Sequence, residues 1–244
     1  MKITGAAGTG KTVALIHRAI SLAKRLDNDS EKVLITTFTT NLSYSIRTAV
    51  RQLNAKLAER IDVTNLHTLA RTICSRAGWK GRIANPEDVE QIWDEVWAGS
   101  VDELPLPRDE MQREYELVIE QNGIDNIDDY LTTVRSSRPR MTRKDRKAAW
   151  PVFQAFKRGL KKRQQLLTYE GAIHEARMAV EQGSFPKYRY VLVDEVQDFS
   201  LEALRLIASL SPIAEGSEDP LCLVGDGHQR VYGTNVPMSR AGIN

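Results

Sequence analysis

Cysteine is scarce. The 244 residues hold two, Cys74 and Cys222, each among apolar neighbours and with no C-x-x-C pair. With four scattered histidines, this argues against a disulfide framework or a structural zinc site, and two reduced thiols suit the cytosol. No apolar run approaches the roughly 18 residues of a membrane-spanning helix. The N-terminus lacks the apolar stretch of a secretion signal. A soluble, cytoplasmic protein with no membrane partner is expected. Net charge is only +2, so overall charge selects no partner. Internal repeats and low-complexity linkers are absent. What is there, 41% hydrophobic and 27% charged residues, is ordinary globular composition, enough for one large or two small domains.

Both ends of the chain alternate strand and helix patterns. Lys32–Phe38 (KVLITTF) is rich in β-branched residues and reads as a strand. Tyr190–Asp194 (YVLVD) and Leu221–Gly225 (LCLVG) are short apolar runs that suit buried parallel strands. Ile61–Thr64 is a weaker candidate, and Lys2-Ile3-Thr4 suits the end of a strand. Amphipathic helices are expected over Lys11–Leu26, Leu42–Leu57 and Leu201–Leu210. This alternation predicts a parallel sheet flanked by helices, an α/β fold.

The middle differs. From Trp79 to about Gln165 only helical patterns occur, and all four tryptophans lie there. Asn85-Pro86-Glu87-Asp88 reads as a helix start. Further helices are expected over Glu110–Gln121, Asp128–Val134 and Arg143–Gln165, the last interrupted at Pro151. Tyr130–Gln165 carries twelve Lys/Arg against one acid, Asp145. Lys157, Arg158, Lys161 and Lys162 crowd one face, a candidate contact for a nucleic-acid backbone unless the acidic stretch before it neutralises the charge. The expected domains are 1–78 and 166–244 as two parts of one lobe, with 79–165 inserted as an all-helical subdomain.

Two motifs carry chemistry. Gly5, Ala6, Ala7, Gly8, Thr9, Gly10, Lys11 and Thr12 fit the phosphate-loop (P-loop) pattern G-x-x-x-x-G-K-[ST]. Glycines let several backbone N–H groups face one anion, and the helix behind adds its positive end. Lys11 suits the β and γ phosphates, and the Thr12 hydroxyl suits Mg2+. The second motif, VLVDEVQDFS, ends an apolar strand in adjacent acids, at the sheet edge where α/β ligands bind. Asp194 suits Mg2+, and Glu195 suits a general base or a water-orienting role. A kinase needs no such glutamate, and the base-reading N/T-K-x-D of a GTPase is absent. The pair therefore points to a P-loop NTPase.

Five runs in order resemble the superfamily-one helicases of the UvrD/Rep type. GAAGTGKT matches motif I, LITTFTTNLS resembles Ia, VTNLHTLAR resembles Ib, VLVDEVQDFS matches II and LCLVGDGHQRVYG matches III. The resemblance implies a RecA-like lobe (1A) with a helical 1B insertion, driven by ATP and Mg2+ along single-stranded DNA or a single-strand/duplex junction, with RNA left open. It implies that Lys11, Thr12, Asp194 and Glu195 work as above, and that Gln229 contacts the γ-phosphate. Thr37, Phe38, Thr39, Asn41 and His67 would lie along the strand, and Tyr232 would stack on a base. Three departures stand out. YGTNVPMS lacks the further aromatics of motif III, and neither the adenine-reading glutamine segment nor the second RecA-like lobe with its arginine fingers is among these 244 residues. The chain is expected to be the N-terminal lobe of a longer ATP-dependent DNA helicase or translocase, weakly active alone. The alternative is a regulatory nucleotide-dependent DNA-binding module that does not unwind.

Overall fold

The computed structural model describes residues 1–6, 8–100, 104–135, 139–211, 220–226 and 238–243. The chain divides into two compact units, one of residues 1–77 and 175–244, the other of residues 78–174.

The first unit is built on a five-stranded parallel sheet in the order β1-β5-β4-β2-β3. β1 (Lys2–Thr4) leads through the phosphate loop into α1 (Lys11–Ala23). Leu15, Ile16, Ala19, Leu22 and Ala23 of α1 recur at helical spacing and are buried. β2 (Val33–Thr37) is buried along its whole length, as a strand paired on both sides and covered on both faces must be. α2 (Thr40–Leu53) stops where the sequence pattern continues to Leu57. Asn54 is extended there and caps a separate short turn, α3 (Ala55–Ala58), by accepting from the Leu57 N–H. β3 (Ile61–Asn65), at the sheet edge, alternates buried and half-buried residues and runs straight into α4 (Leu66–Arg76).

The second unit is helical. α5 (Pro86–Ala98) begins with a reciprocal capping box between Asn85 and Asp88, with Pro86 in the first turn. α6 (Arg108–Glu114) passes into a π-helical turn over Tyr115–Glu120. α7 (Ile127–Thr132) and α8 (Arg143–Lys162) follow. α8 is unbroken through Pro151, against the interruption its sequence suggests. Proline removes one helical hydrogen bond, but Ala149, Val152, Phe153 and Phe156 are buried on either side of it, and that shared packing holds the two halves in one helix. Trp93 is fully buried, stacked on Phe156 at 4.4 Å and edge-on to Tyr115 at 5.8 Å. Trp97 and Trp150 pack at the margin of the same core. Trp79 stands apart from it and donates its indole N–H to the Gln165 carbonyl. Inside the unit, Glu114 accepts two bonds from Arg135 and one from Tyr130.

α9 (Tyr169–Glu181), which the sequence patterns do not reveal, contains the division between the units. β4 (Tyr190–Val193), α10 (Leu201–Leu210) and β5 (Leu221–Gly225) complete the first unit. The helical unit thus continues to His174, past the boundary expected at residue 165. Among the described residues no helix is long and apolar enough to cross a membrane.

One half-buried acid gives the helical unit a pH response. Glu120 accepts a 2.5 Å hydrogen bond from the Thr168 hydroxyl. Burial of its carboxyl pushes its pKa from 4.5 up to about 7, with Glu170 and Glu116 pushing the same way and Lys157 opposing. The unfolded chain gives up this proton at lower pH than the folded chain. The stability from Glu120 is therefore complete below about pH 4.5 and lost as pH rises through about 7. Glu120→Gln keeps an acceptor for Thr168 and removes the charge. Its melting temperature is expected to exceed that of the wild type by about 2–6 °C at pH 8 and by much less at pH 5. Equal shifts at both pH values would contradict this.

Candidate functional site

Every strand delivers its functional residues to one edge of the sheet, the carboxyl ends, where α/β folds bind ligands. β1 ends at the phosphate loop, β2 at Phe38, β3 at α4, β4 at Asp194 and β5 at Asp226. Gly8 and Gly10 both sit at φ 78°, a backbone region that side chains rarely tolerate. α1 has no side-chain cap and no acid in its first turn, so its leading N–H groups are presented as an anion site requires. The Lys11 ammonium donates to the Gly5 and Ala6 carbonyls at 2.7 and 2.8 Å, and the Thr9 hydroxyl donates to Ala6 at 2.8 Å. Ala7 lies outside the described residues.

β5 separates β1 from β4 in the sheet, yet the two motifs meet. The Thr12 hydroxyl donates to Asp194 Oδ2 at 2.7 Å, across 182 positions of sequence. Asp194 is fully buried. Burial raises its pKa, and the Glu195 charge adds to this, while the Thr12 bond and Lys11 oppose it. A cation beside this carboxylate would relieve the penalty of burying it. A hydroxyl and a carboxylate oxygen are the hard donors that Mg2+ takes, with phosphate and water completing its shell. The residues present therefore fit this ion. Among the described residues no cluster of three or more His, Cys, Asp and Glu could hold a metal by protein ligands alone.

Glu195 stands next in the chain at φ 54°. Its carboxylate accepts from the Gln197 side-chain amide, whose Oε1 in turn accepts the Asp226 N–H at 3.0 Å. Gln197 therefore ties the end of β4 to the end of β5. Sequence reasoning missed it, although it is the glutamine of the D-E-V-Q-D run. Gln229 and Tyr232 lie outside the described residues.

The other half of the edge gathers the residues expected along a strand of nucleic acid. The Phe38 and His67 rings meet edge-on at 5.7 Å, and Phe199 lies 6.3 Å from Phe38. Phe38 is half-buried, while Thr39 and Asn41 are exposed. The Thr39 hydroxyl caps α2. Burial lowers the His67 pKa, so its imidazole is neutral at pH 7. Thr37 is fully buried at the end of central β2. Asn65 is a second residue that sequence reasoning missed. Its amide donates to Thr40 Oγ1 at 3.1 Å and its oxygen accepts the Thr68 N–H at 2.9 Å. Asn65 thereby fastens the start of α2 to the start of α4. Asparagine directly before a helical run was the available signal.

Comparison with known proteins gives a consistent result. DNA helicase IV of Escherichia coli (strain K12) is 24% identical over 273 residues, covering 94% of this chain and 38% of that protein. ATP-dependent DNA helicase PcrA of Staphylococcus aureus (strain Mu50 / ATCC 700699) is 25% identical over 244 residues, covering 95% of this chain and 32% of that protein. The chain spans about a third of the length of these curated relatives. The model of the UvrD/REP helicase N-terminal domain matches residues 1–235. On that match, which takes in both chemical motifs and the helical unit between them, the chain belongs to the UvrD/REP helicase N-terminal domain family.

Proposed function

We propose that this chain is the ATP-binding and ATP-hydrolysing N-terminal lobe of an ATP-dependent DNA helicase or translocase that acts on single-stranded DNA. The observation that carries this reading is the 2.7 Å bond between Thr12 and Asp194, which makes one site of a phosphate loop and a carboxylate strand far apart in sequence. The loop residues Gly5 to Thr12 receive the phosphates, and Lys11 supplies positive charge to the β and γ groups. Thr12 and Asp194 would hold Mg2+, which supplies charge neutralisation at the phosphates. Glu195 orients or deprotonates the attacking water. Gln197, through Asp226, sets the Glu195 carboxylate against the β5 end, from which the segment bearing Gln229 departs. Phe38, with His67 against it, offers an aromatic surface to unpaired bases, and Thr39 and Asn41 offer polar groups to the backbone. A second RecA-like lobe, which the resemblance implies, would close the nucleotide site from the other side.

Alone, the chain is expected to bind ATP weakly, hydrolyse it slowly and leave duplex strands paired. Steady-state hydrolysis with and without oligothymidylate, run beside a strand-separation assay, tests this. Brisk DNA-stimulated turnover with strand separation by these 244 residues would overturn the reading of one lobe in a two-lobe motor.

A further inference from the structure

Two hydroxyls at the carboxyl end of β2 stand idle. Thr36 and Thr37 are both fully buried, and neither side-chain oxygen has a hydrogen-bond partner among the described residues. A hydroxyl that gives up water and gains no partner costs stability. Valine has the same shape without that oxygen and suits a central strand as well. Fold stability therefore does not account for either threonine.

The register of the sheet tells the two apart. Ile35 of β2 stands opposite Val63 of β3 and Leu192 of β4. These three share a core with Leu15, Ile16 and Ala19, so they point to the face that α1 covers. Side chains alternate along a strand. Two positions on, the same face carries Asn65, Thr37 and Asp194. The Asp194 N–H donates to the Thr36 carbonyl at 2.9 Å, which extends the ladder one step past β4 and sets Asp194 opposite Thr37. Adjacent strands lie about 4.8 Å apart, so the Thr37 and Asp194 side chains are neighbours. Thr36 points to the other face, between Val193 and Thr64.

Asp194 draws its donors from elsewhere. Its Oδ2 accepts the Thr12 hydroxyl at 2.7 Å, and its Oδ1 accepts the Glu195 N–H at 3.1 Å. A carboxylate has lone pairs to spare beyond these two bonds. Mg2+ held by so few protein groups as Thr12 and Asp194 keeps several waters, and those waters need acceptors for their protons. A threonine hydroxyl offers two acceptor lone pairs and one donor, all unused at Thr37 among the described residues.

We propose that the Thr37 hydroxyl is a positioning group of the magnesium–nucleotide site. Beside Asp194 it accepts a hydrogen bond from a water that Mg2+ retains, and so fixes that water. The role rests on the reading of Thr12 and Asp194 as that site, and it adds a residue outside both the phosphate loop and the carboxylate strand. Only the hydroxyl is assigned, and the Thr37 main chain continues into Phe38.

The test compares the whole 244-residue chain with Thr37→Val, Thr37→Ser and Thr36→Val. ATP is titrated into each with and without Mg2+, beside melting curves of the protein alone. In Thr37→Val, the tightening of ATP binding by Mg2+ is expected to shrink at least about threefold, part of the worth of one charge-assisted hydrogen bond. Its affinity for ATP without Mg2+ should stay within about twofold. It should melt no lower than the wild type, because the lost hydroxyl bonds to nothing in the fold. Thr37→Ser keeps the oxygen and should keep the Mg2+ effect within about twofold. Thr36→Val removes the same kind of hydroxyl on the opposite face, and it should melt no lower and leave the Mg2+ effect within about twofold. Serine and alanine differ only by that oxygen, so Thr37→Ser against Thr37→Ala gives the same comparison if the valine variant misfolds. An unchanged Mg2+ effect in Thr37→Val would overturn the proposal and leave the site of Thr12 and Asp194 standing. So would an equal loss of ATP affinity with and without Mg2+ together with a lower melting temperature, which would make the hydroxyl a structural group. A wild-type chain whose ATP binding ignores Mg2+ would overturn both the role of Thr37 and the site on which it rests.

Discussion

Replacing Glu195 with glutamine is expected to slow ATP hydrolysis by about 100- to 10,000-fold, the range a positioned general base contributes. ATP affinity should change by no more than about twofold, because in the proposed site the loop, and not this residue, would hold the phosphates. The backbone prepares the role. Glu195 lies at φ 54°, a left-handed conformation that costs a residue with a side chain about 1–3 kcal/mol. The strain places Glu195 directly after the buried Asp194 while leaving it half-buried, within reach of water. Gln197 then holds the carboxylate by a hydrogen bond. Strain retained beside a phosphate loop is the kind found at catalytic positions. Glu195→Gly relieves it, and that variant is expected to melt no lower than the wild type while being as inactive as Glu195→Gln. Single-turnover hydrolysis with radiolabelled ATP, beside equilibrium binding, separates the two effects. A glutamine variant that hydrolyses at the wild-type rate would remove Glu195 from the mechanism.

Lys11→Ala is expected to weaken ATP binding by about 10- to 100-fold. A hydrogen bond to a charged group contributes about 1.5–3 kcal/mol, and each 1.4 kcal/mol is tenfold in affinity. Lys11 follows directly on the two left-handed glycines, and its ammonium already lies within 2.8 Å of the loop carbonyls of Gly5 and Ala6. A purely structural role would weaken ATP and ADP alike through a loosened loop. The proposed role predicts a larger loss for ATP, because the ammonium serves the γ phosphate as well as the β. Paired titrations with ATP and ADP decide between them, and equal losses would assign Lys11 to loop structure alone.

Much of this fold is legible in the sequence because its signals are local. β2, β4 and β5 are runs of β-branched and apolar residues whose burial on both faces follows from their place inside a parallel sheet. β3 reads weakly because an edge strand alternates, and its Asp62 and Thr64 dilute the apolar pattern. Other features depend on contacts between distant residues. Pro151 signals a break, and only the apolar residues packed on both sides of it show why α8 continues. Glu110–Gln121 reads as one α-helix, since a π turn changes the pattern by a single residue. α4 and α9 escape the sequence patterns, the first concealed within a run that draws attention as a motif. At the site, the phosphate loop and the Asp194-Glu195 pair are visible as words in the sequence. The roles of Gln197 and Asn65 are not, beyond the helix-cap position of Asn65, because they lie in hydrogen bonds to Asp226 and Thr40, on elements distant in the chain. Thr37 belongs to a motif as well, and its full burial at the end of β2 is not visible in that motif.

Everything proposed for the nucleotide depends on Thr12 and Asp194 forming a single magnesium–nucleotide site. Equilibrium titration of ATP into the wild-type chain and into Thr12→Val, each with and without Mg2+, decides this. Mg2+ should tighten ATP binding to the wild type by at least about tenfold, a difference of about 1.4 kcal/mol. In Thr12→Val, which keeps the shape of the side chain and loses the hydroxyl, the enhancement should shrink to about twofold or less. An equal Mg2+ enhancement in both proteins, or none in the wild type, would show that no such site exists.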